Sequence, residues 1–233
     1  MINAYKKSGE TMDQFVSRVK KENSIKKLAY TARLDPMARG IVPFLVEDEC
    51  ANIKNHLGSN KTYQVKIIYG IQTDSDDPLG IITNKIDISK DSAMYITKSI
   101  INYLNLINNT TFKQKYHHFS TKMLNHRRQK SINVIDSHDV SLYDYGILGE
   151  GIINYNQWSN KIIKQIKSID PTKNFRQEST IAQWDALEIK ELYYMKLSFN
   201  VSSGFFIRQL IRDISDNIGI PLMTYNINRV SVR

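Results

Sequence analysis

Arg33-Leu34-Asp35-Pro36-Met37-Ala38-Arg39-Gly40 sets one carboxylate in a restrained loop between two apolar stretches. Leu28, Ala29 and Tyr30 precede it, and Ile41, Val42, Pro43, Phe44, Leu45 and Val46 follow. Pro36 fixes its own φ and biases Asp35 away from helical geometry. Gly40 supplies a second break. A carboxylate on the approach to a buried strand needs a partner, because an unpaired buried charge is costly. A rigid loop of this kind can hold a nucleophile or general base. The same residues would also suit a simple Asp-Pro turn that caps a helix.

Elsewhere the apolar periodicity defines the elements. Residues 11–21 read as a helix: Thr11 and Gln14 form a capping-box pattern, and Met12, Phe15, Val16 and Val19 share one face. Residues 41–46 read as a buried strand, and 47–57 as a short helix stopped by Gly58. A strand is expected at 61–70, with Tyr63, Val65 and Ile67 alternating, followed by an Asp-, Pro- and Gly-rich loop at 73–80. Helices are expected at 91–107, with Met94, Ile100, Ile101 and Leu104 in the core, and at 155–169, before the turn Asp170-Pro171. A strand at 193–201 carries Met195, Leu197 and Phe199; a helix at 204–218 ends at Gly219, and a strand follows at 223–232. Strands and helices intermix without a regular βαβ repeat, which favours an α+β fold with a mixed, largely antiparallel sheet flanked by helices. No repeat, low-complexity linker or domain boundary is visible, so residues 1–233 read as a single domain.

Size and composition agree. The chain has 233 residues, 41% hydrophobic and 24% charged, enough for a sizeable core. No apolar run is long enough to cross a bilayer, and Met1-Ile2-Asn3-Ala4-Tyr5-Lys6-Lys7 has no apolar leader core. The single Cys50 cannot form an internal disulfide, and no Cys/His ligand cluster is present, so a reducing compartment such as the cytoplasm fits. A formal net charge of +9 favours a polyanionic partner, nucleic acid above all.

Several side chains could carry chemistry. Tyr63, in Lys61-Thr62-Tyr63, could stack on a base or move a proton; a half-buried packing role is the alternative. Arg208 stands among apolar residues in Gly204-Phe205-Phe206-Ile207-Arg208. It either snorkels or pairs with a buried carboxylate, and Asp35 is the natural partner. Asp74-Ser75-Asp76-Asp77 could bind a cation but lacks an EF-hand pattern, so a solvated turn is expected. His117 and His118, beside Tyr116 and Phe119, could touch RNA or ligate a metal, although adjacent loop histidines more often do neither. Arg127 and Arg128, in His126-Arg127-Arg128-Gln129-Lys130, suit phosphate contacts.

Together these residues resemble the TruB family of pseudouridine synthases. The stretch from Leu34 to Pro43 resembles its leucine-Asp-Pro-x-Ala-x-Gly signature. Lys6 to Thr11 resembles its N-terminal lysine-proline-x-glycine-x-threonine segment, with Lys7 in place of the proline. Lys61-Thr62-Tyr63, then Gly70 with Thr73-Asp74-Ser75-Asp76, then Gly204 to Arg208 resemble further motifs in the family's order. Gln114, Phe119 and Ser120 resemble its glutamine…tyrosine-serine segment, and Ile227 and Arg229 its final strand. Tyr30 stands where the family usually has a histidine, and Ala32 and Arg33 replace a glycine and a small residue. The divergent residues 126–190 show no such match.

The resemblance implies isomerisation of an RNA uridine to pseudouridine, with the T-loop uridine of tRNA the usual target and no metal or organic cofactor. It assigns the nucleophile to Asp35, base stacking and proton movement to Tyr63, and the ion-pair partner to Arg208. Tyr30, Arg33, Arg39, Lys61, His117, His118, Arg127 and Arg128 are the expected RNA-binding residues. A monomer without the C-terminal PUA domain of many members is expected. One alternative is an RNA-binding or RNA-chaperone protein on the same scaffold. Another is an unrelated Asp-nucleophile enzyme such as a glycosidase, which would need a second carboxylate from Asp74, Asp76 or Asp77.

Overall fold

In a computed structural model describing residues 1–119 and 137–233, one long mixed sheet carries helices on both faces. Its strands are β1 (Ile2–Lys6), β2 (Leu28–Tyr30), β3 (Arg39–Val46), β4 (Lys61–Tyr69), β7 (Thr110–Lys115), β8 (Ser137–Asn154), β9 (Glu191–Val201) and β10 (Leu222–Val232). They run in the order β1-β3-β10-β4-β9-β8-β7, with β2 paired to β3. All neighbours are antiparallel except β3 and β10, which run parallel and meet only at Asn228–Arg39 and Arg229–Gly40. A separate hairpin joins β5 (Ile71–Thr73) to β6 (Ile82–Lys85). The expected α+β class is therefore observed.

Strand alternation sends side chains to two cores. On one face, Tyr63, Val65, Ile67, Met195, Leu197 and Phe199 pack under α1 (Met12–Asn23), α2 (Lys90–Ile107) and α5 (Ile207–Ile218). On the other, Ile68, Leu192 and Met223 meet α3 (Tyr155–Ser168) and α4 (Gln177–Asp185) through Trp158 and Trp184. Each fully buried side chain of this kind contributes roughly 1.5–3 kcal/mol. The start of α1 forms as its sequence requires: Thr11 Oγ1 accepts from Gln14 N at 3.2 Å, and Thr11 N donates back to Gln14 Oε1 at 2.8 Å.

Three expectations change. Met94 is 54% exposed, because the buried stripe of α2 is Ala93, Ile96, Ile100 and Leu104, about 100° around the helix. Residues Glu47–His56 form 3-10 turns with nothing buried, since they carry no apolar stripe. The last helix begins at Ile207 rather than 204, because Gly204 adopts φ +83°. Strands β1, β2, β5, β6, β7 and β8 and helix α4 were not evident in the sequence. Strand β8 holds Gly146, Gly149 and Gly151 and two register shifts, which blur its alternation. Among the described residues no helix is long and apolar enough to cross a membrane.

Candidate active site

The Asp35 loop fills the gap where β3 and β10 separate, and its backbone is tied down from both sides. Lys6 ends β1 fully buried, and its ammonium donates to the carbonyls of Lys7, Asp35, Pro36 and Ala38 at 2.8–3.1 Å. Ser8 Oγ donates to Met37 O at 2.8 Å, and Gly9 N to Pro36 O at 2.9 Å. From β10, the buried Arg229 donates to Ile41 O at 2.8 Å, Arg33 O at 2.9 Å and Ala32 O at 3.2 Å. Gly40 has φ +126°, and a Cβ there would lie 2.2 Å from Arg229 O. Only glycine permits that approach. Burial lowers the Lys6 ammonium to about 8, with Glu10 and Asp35 opposing the shift.

The side chain of Asp35 points away from this clamp and is 42% exposed. Arg208 Nη2 lies 2.9 Å from Asp35 Oδ2, while the Arg208 side chain is only 7% exposed. Its Nη1 donates to Ser75 O at 2.9 Å and lies 3.6 Å from Asp77 Oδ2. Burial pulls Arg208 down, but Asp35, Asp77 and Asp76 outweigh that and raise it. Arg208 thus stays charged and links an accessible carboxylate to a buried one.

The acidic loop corrects the expectation of a solvated turn. Asp76 and Asp77 are buried. Arg212, one helical turn beyond Arg208, donates from Nε to Asp76 Oδ2 at 3.0 Å. Phe119 N donates to His117 Nδ1 at 3.2 Å, which leaves the imidazole proton on Nε2, 2.9 Å from Asp76 Oδ2. Burial raises Asp76 to about 6, with Arg212 opposing, and lowers His117 to about 2, with Arg208 adding to the shift. Asp77 is raised by burial, and its Oδ1 accepts from Ser75 Oγ at 2.8 Å and Leu79 N at 3.0 Å. Helix α4 props the loop from behind, through Thr180 Oγ1 to Leu79 O at 3.1 Å and Trp184 Nε1 to Pro78 O at 2.8 Å. Asp74 pairs with Arg176 at 2.6 Å. Among the described residues no cluster of His, Cys, Asp and Glu is arranged to hold a metal ion.

The family model for the N-terminal domain of TruB family pseudouridylate synthases matches residues 20–134. The tRNA pseudouridine synthase B of Clostridium tetani is 23% identical over 229 residues, 98% of this chain and 66% of that protein. The chain is similar to the TruB family. The tRNA pseudouridine synthase B of Mycoplasmopsis pulmonis is 27% identical over 95% of this chain and 63% of that protein. That of Clostridioides difficile is 36% identical over 37% of this chain and 29% of that protein. The chain thus spans about two thirds or less of the length of these curated TruB relatives. In fold it is similar to a Cbf5-Nop10-Gar1 complex, with TM-score 0.56 and 15% identity over 99% of this chain and 48% of that one. A structure of an H/ACA RNP bound to a substrate RNA containing 2'-deoxyuridine gives TM-score 0.54 at 15% identity, over 99% of this chain and 46% of that one.

Against the TruB pattern, the expected residues fall into distinct places. Tyr63 lies on β4, buried, opposite Arg229 in β10 and Phe199 in β9. Burial raises its phenol, and the Arg229 guanidinium opposes the shift. Tyr30 sits edge-on to Phe44, and Arg33 covers its ring at 5.5 Å and donates to its hydroxyl at 3.0 Å. Lys61 is half-buried and donates to Ser59 O at 2.5 Å. His117 is corrected: its ring faces Asp76 in the interior, not RNA. His118 is exposed nearby, and Arg39 lies on β3 beyond the Asp35 loop. Arg127, Arg128 and Ser120 lie outside the described residues. Sequence reasoning missed Lys6 and Arg229 as clamps and Arg212 as the partner of Asp76. The four-residue step from Arg208 to Arg212 was the available signal for the last.

Proposed function

We propose that this chain isomerises a uridine in RNA to pseudouridine, with Asp35 as nucleophile. The reading is carried by one arrangement: an accessible carboxylate on a clamped loop, 2.9 Å from a buried arginine. An attacking carboxylate must be ionised and positioned, and Arg208 supports both. The reaction conserves composition. The bond from ribose C1′ to N1 breaks, a bond from C1′ to C5 forms, a proton leaves C5, and N1 gains one. Tyr63, buried on β4, lies near enough for the Asp35 carboxylate to help keep its phenol neutral, and to it we assign stacking on the uracil and relay of the proton. The Tyr30–Arg33 pair provides an exposed planar cation–π plate beside the loop, suited to hold neighbouring bases once the uridine has left its stack.

Asp76 and Asp77 are committed to Arg212, His117, Ser75 and Arg208, so neither is free to act as the second carboxylate of a glycosidase. The names of the relatives support tRNA as substrate, and the T-loop uridine is the target we assign. The test is chemical mapping of pseudouridine in an unmodified tRNA transcript after incubation with wild type or Asp35→Ala. Wild type should modify one T-loop uridine, and the variant none while still binding the RNA. Full activity of Asp35→Ala would remove Asp35 from the mechanism. RNA binding by wild type without any pseudouridine would favour a chaperone role.

A further inference from the structure

The sheet face that carries α3 and α4 is not covered along its whole length. Beside α3, a cavity of about 130 Å³ is lined by Arg39, Lys66, Lys161 and Lys196, with Gln64, Tyr225, Asn226 and Asn228. No acidic residue lines it. Lys66 and Lys196 are direct cross-strand partners on β4 and β9, a placement that destabilises a sheet when both side chains are cations. Burial, then Lys196 and Arg39, lower the Lys66 ammonium. The Lys66 ammonium rests 4.3 Å over the Tyr194 ring and 5.8 Å from that of Tyr225. Arg39 Nε is buried with no hydrogen-bond partner. Among the described residues none of the four cations forms an ion pair with a carboxylate.

A folded chain that gathers cations without carboxylates and leaves a buried guanidinium nitrogen unsatisfied is built for an anion from outside. Asn226 and Asn228 also line the cavity, and their side-chain amides are of the type that donates to phosphate oxygens. The cavity adjoins the Asp35 site, because Tyr225 and Asn226 line both it and the space next to Asp35, Ala38 and Asp77. We propose that Arg39, Lys66, Lys161 and Lys196 form a phosphate-binding groove that holds the backbone of the RNA segment flanking the reactive uridine. This rests on the pseudouridine synthase reading for its ligand, but the groove itself is defined independently. Phosphate contacts of this kind fix the register of a nucleic acid without reading its sequence.

The experiment measures binding of a fluorescent unmodified tRNA transcript across a salt series, with Lys66→Gln/Lys196→Gln against wild type. A control pair, Lys90→Gln/Lys98→Gln, removes the same charge from exposed positions of α2 on the other face. Losing two phosphate contacts should reduce the slope of log affinity against log salt by about 1.4–1.8 and weaken binding about tenfold at ~0.1 M salt. The control pair should change the slope by much less. An unchanged slope in a folded groove variant, or an equal change in the control, overturns the proposal. Competition with inorganic phosphate separates the two sources of the anion: displacement of RNA at low millimolar phosphate would make this a small-phosphate site and overturn the RNA assignment. Lysine-dependent binding without pseudouridine formation would leave the groove standing and reject the enzymatic reading alone. No RNA binding by wild type would reject both.

Discussion

Two loops deliver carboxylates to Arg208, and they are built in opposite senses. In the Asp35 loop the backbone is clamped and the carboxylate is left 42% exposed. In the acidic loop Asp77 is only 6% exposed, and its carboxylate is satisfied by Ser75 and Leu79. The same guanidinium therefore holds one acid for structure and presents the other to the outside. A buried, satisfied acid resists reaction; an accessible, oriented one is available for it. This division between adjacent carboxylates is what makes Asp35, rather than its more numerous neighbours, the candidate nucleophile.

The comparison is broken most severely at Asp35 itself. Asp35→Asn should reduce pseudouridine formation at least about a thousandfold. Its Tm should stay near wild type, because an accessible ion pair contributes only about 1 kcal/mol or less. A large drop in Tm would show that Asp35 is structural, like Asp77. Next comes Arg208→Ala, which strands Asp77 in the interior. Losing one member of a buried pair costs about 3–5 kcal/mol, so denaturant unfolding should show a large loss of stability as well as of activity. Unfolding indistinguishable from wild type would mean that Asp77 is not held by Arg208.

Lys6→Met tests the other half of the design, the clamp on the backbone. It removes charge-assisted hydrogen bonds from carbonyls that burial keeps from water, and about 2–4 kcal/mol of stability should go with them. Single-turnover rates should fall at least about tenfold as the loop loosens, with Asp35 untouched. Unaltered single-turnover rates would show that Gly9, Ser8 and Arg229 suffice.

The smallest effect is a pH dependence in the acidic loop. The unfolded chain protonates its imidazole near 6.5, whereas folded His117 does so only near 2, so His117 makes the native state lose stability as pH falls through 6.5. Asp76 acts the other way between about 6 and 3.8, since the folded state takes up that proton first. His117→Asn removes the first contribution. Its stability relative to wild type should therefore improve by about 2 kcal/mol between about pH 7 and pH 5. A constant difference across that range would mean that His117 takes up its proton in the fold as it does in the unfolded chain.

Much of this was legible in the sequence where the signals are local. The capping box at Thr11 and Gln14 and the alternation through Met195, Leu197 and Phe199 need only a few neighbouring residues to be read. The Asp35–Arg208 contact was legible because each residue looked out of place in an apolar stretch and each required a partner. The acidic loop was not, because Asp-Ser-Asp-Asp has the composition of a surface turn. Its burial depends on Arg208 and Arg212, more than a hundred residues away in the chain. Lys6 was missed for the same reason: a lysine among polar N-terminal residues looks solvated until the loop it grips is folded beneath it. Met94 failed by a single helical step, since Ala93 is small enough to turn the buried stripe away from it.

Strand β10 lies in the interior of the sheet, between β3 and β4, although every other strand precedes it in the chain. Arg229 on that strand closes hydrogen bonds to Ala32, Arg33 and Ile41 across sequence separations of 188 to 197 residues. During synthesis the loop bearing Asp35 is made early but cannot be fixed until residues 222–232 exist. Until they do, the nascent chain carries an unfinished sheet with two open edges. Chemical competence would then arrive abruptly, as β10 slots into the gap that separates the two halves of the sheet.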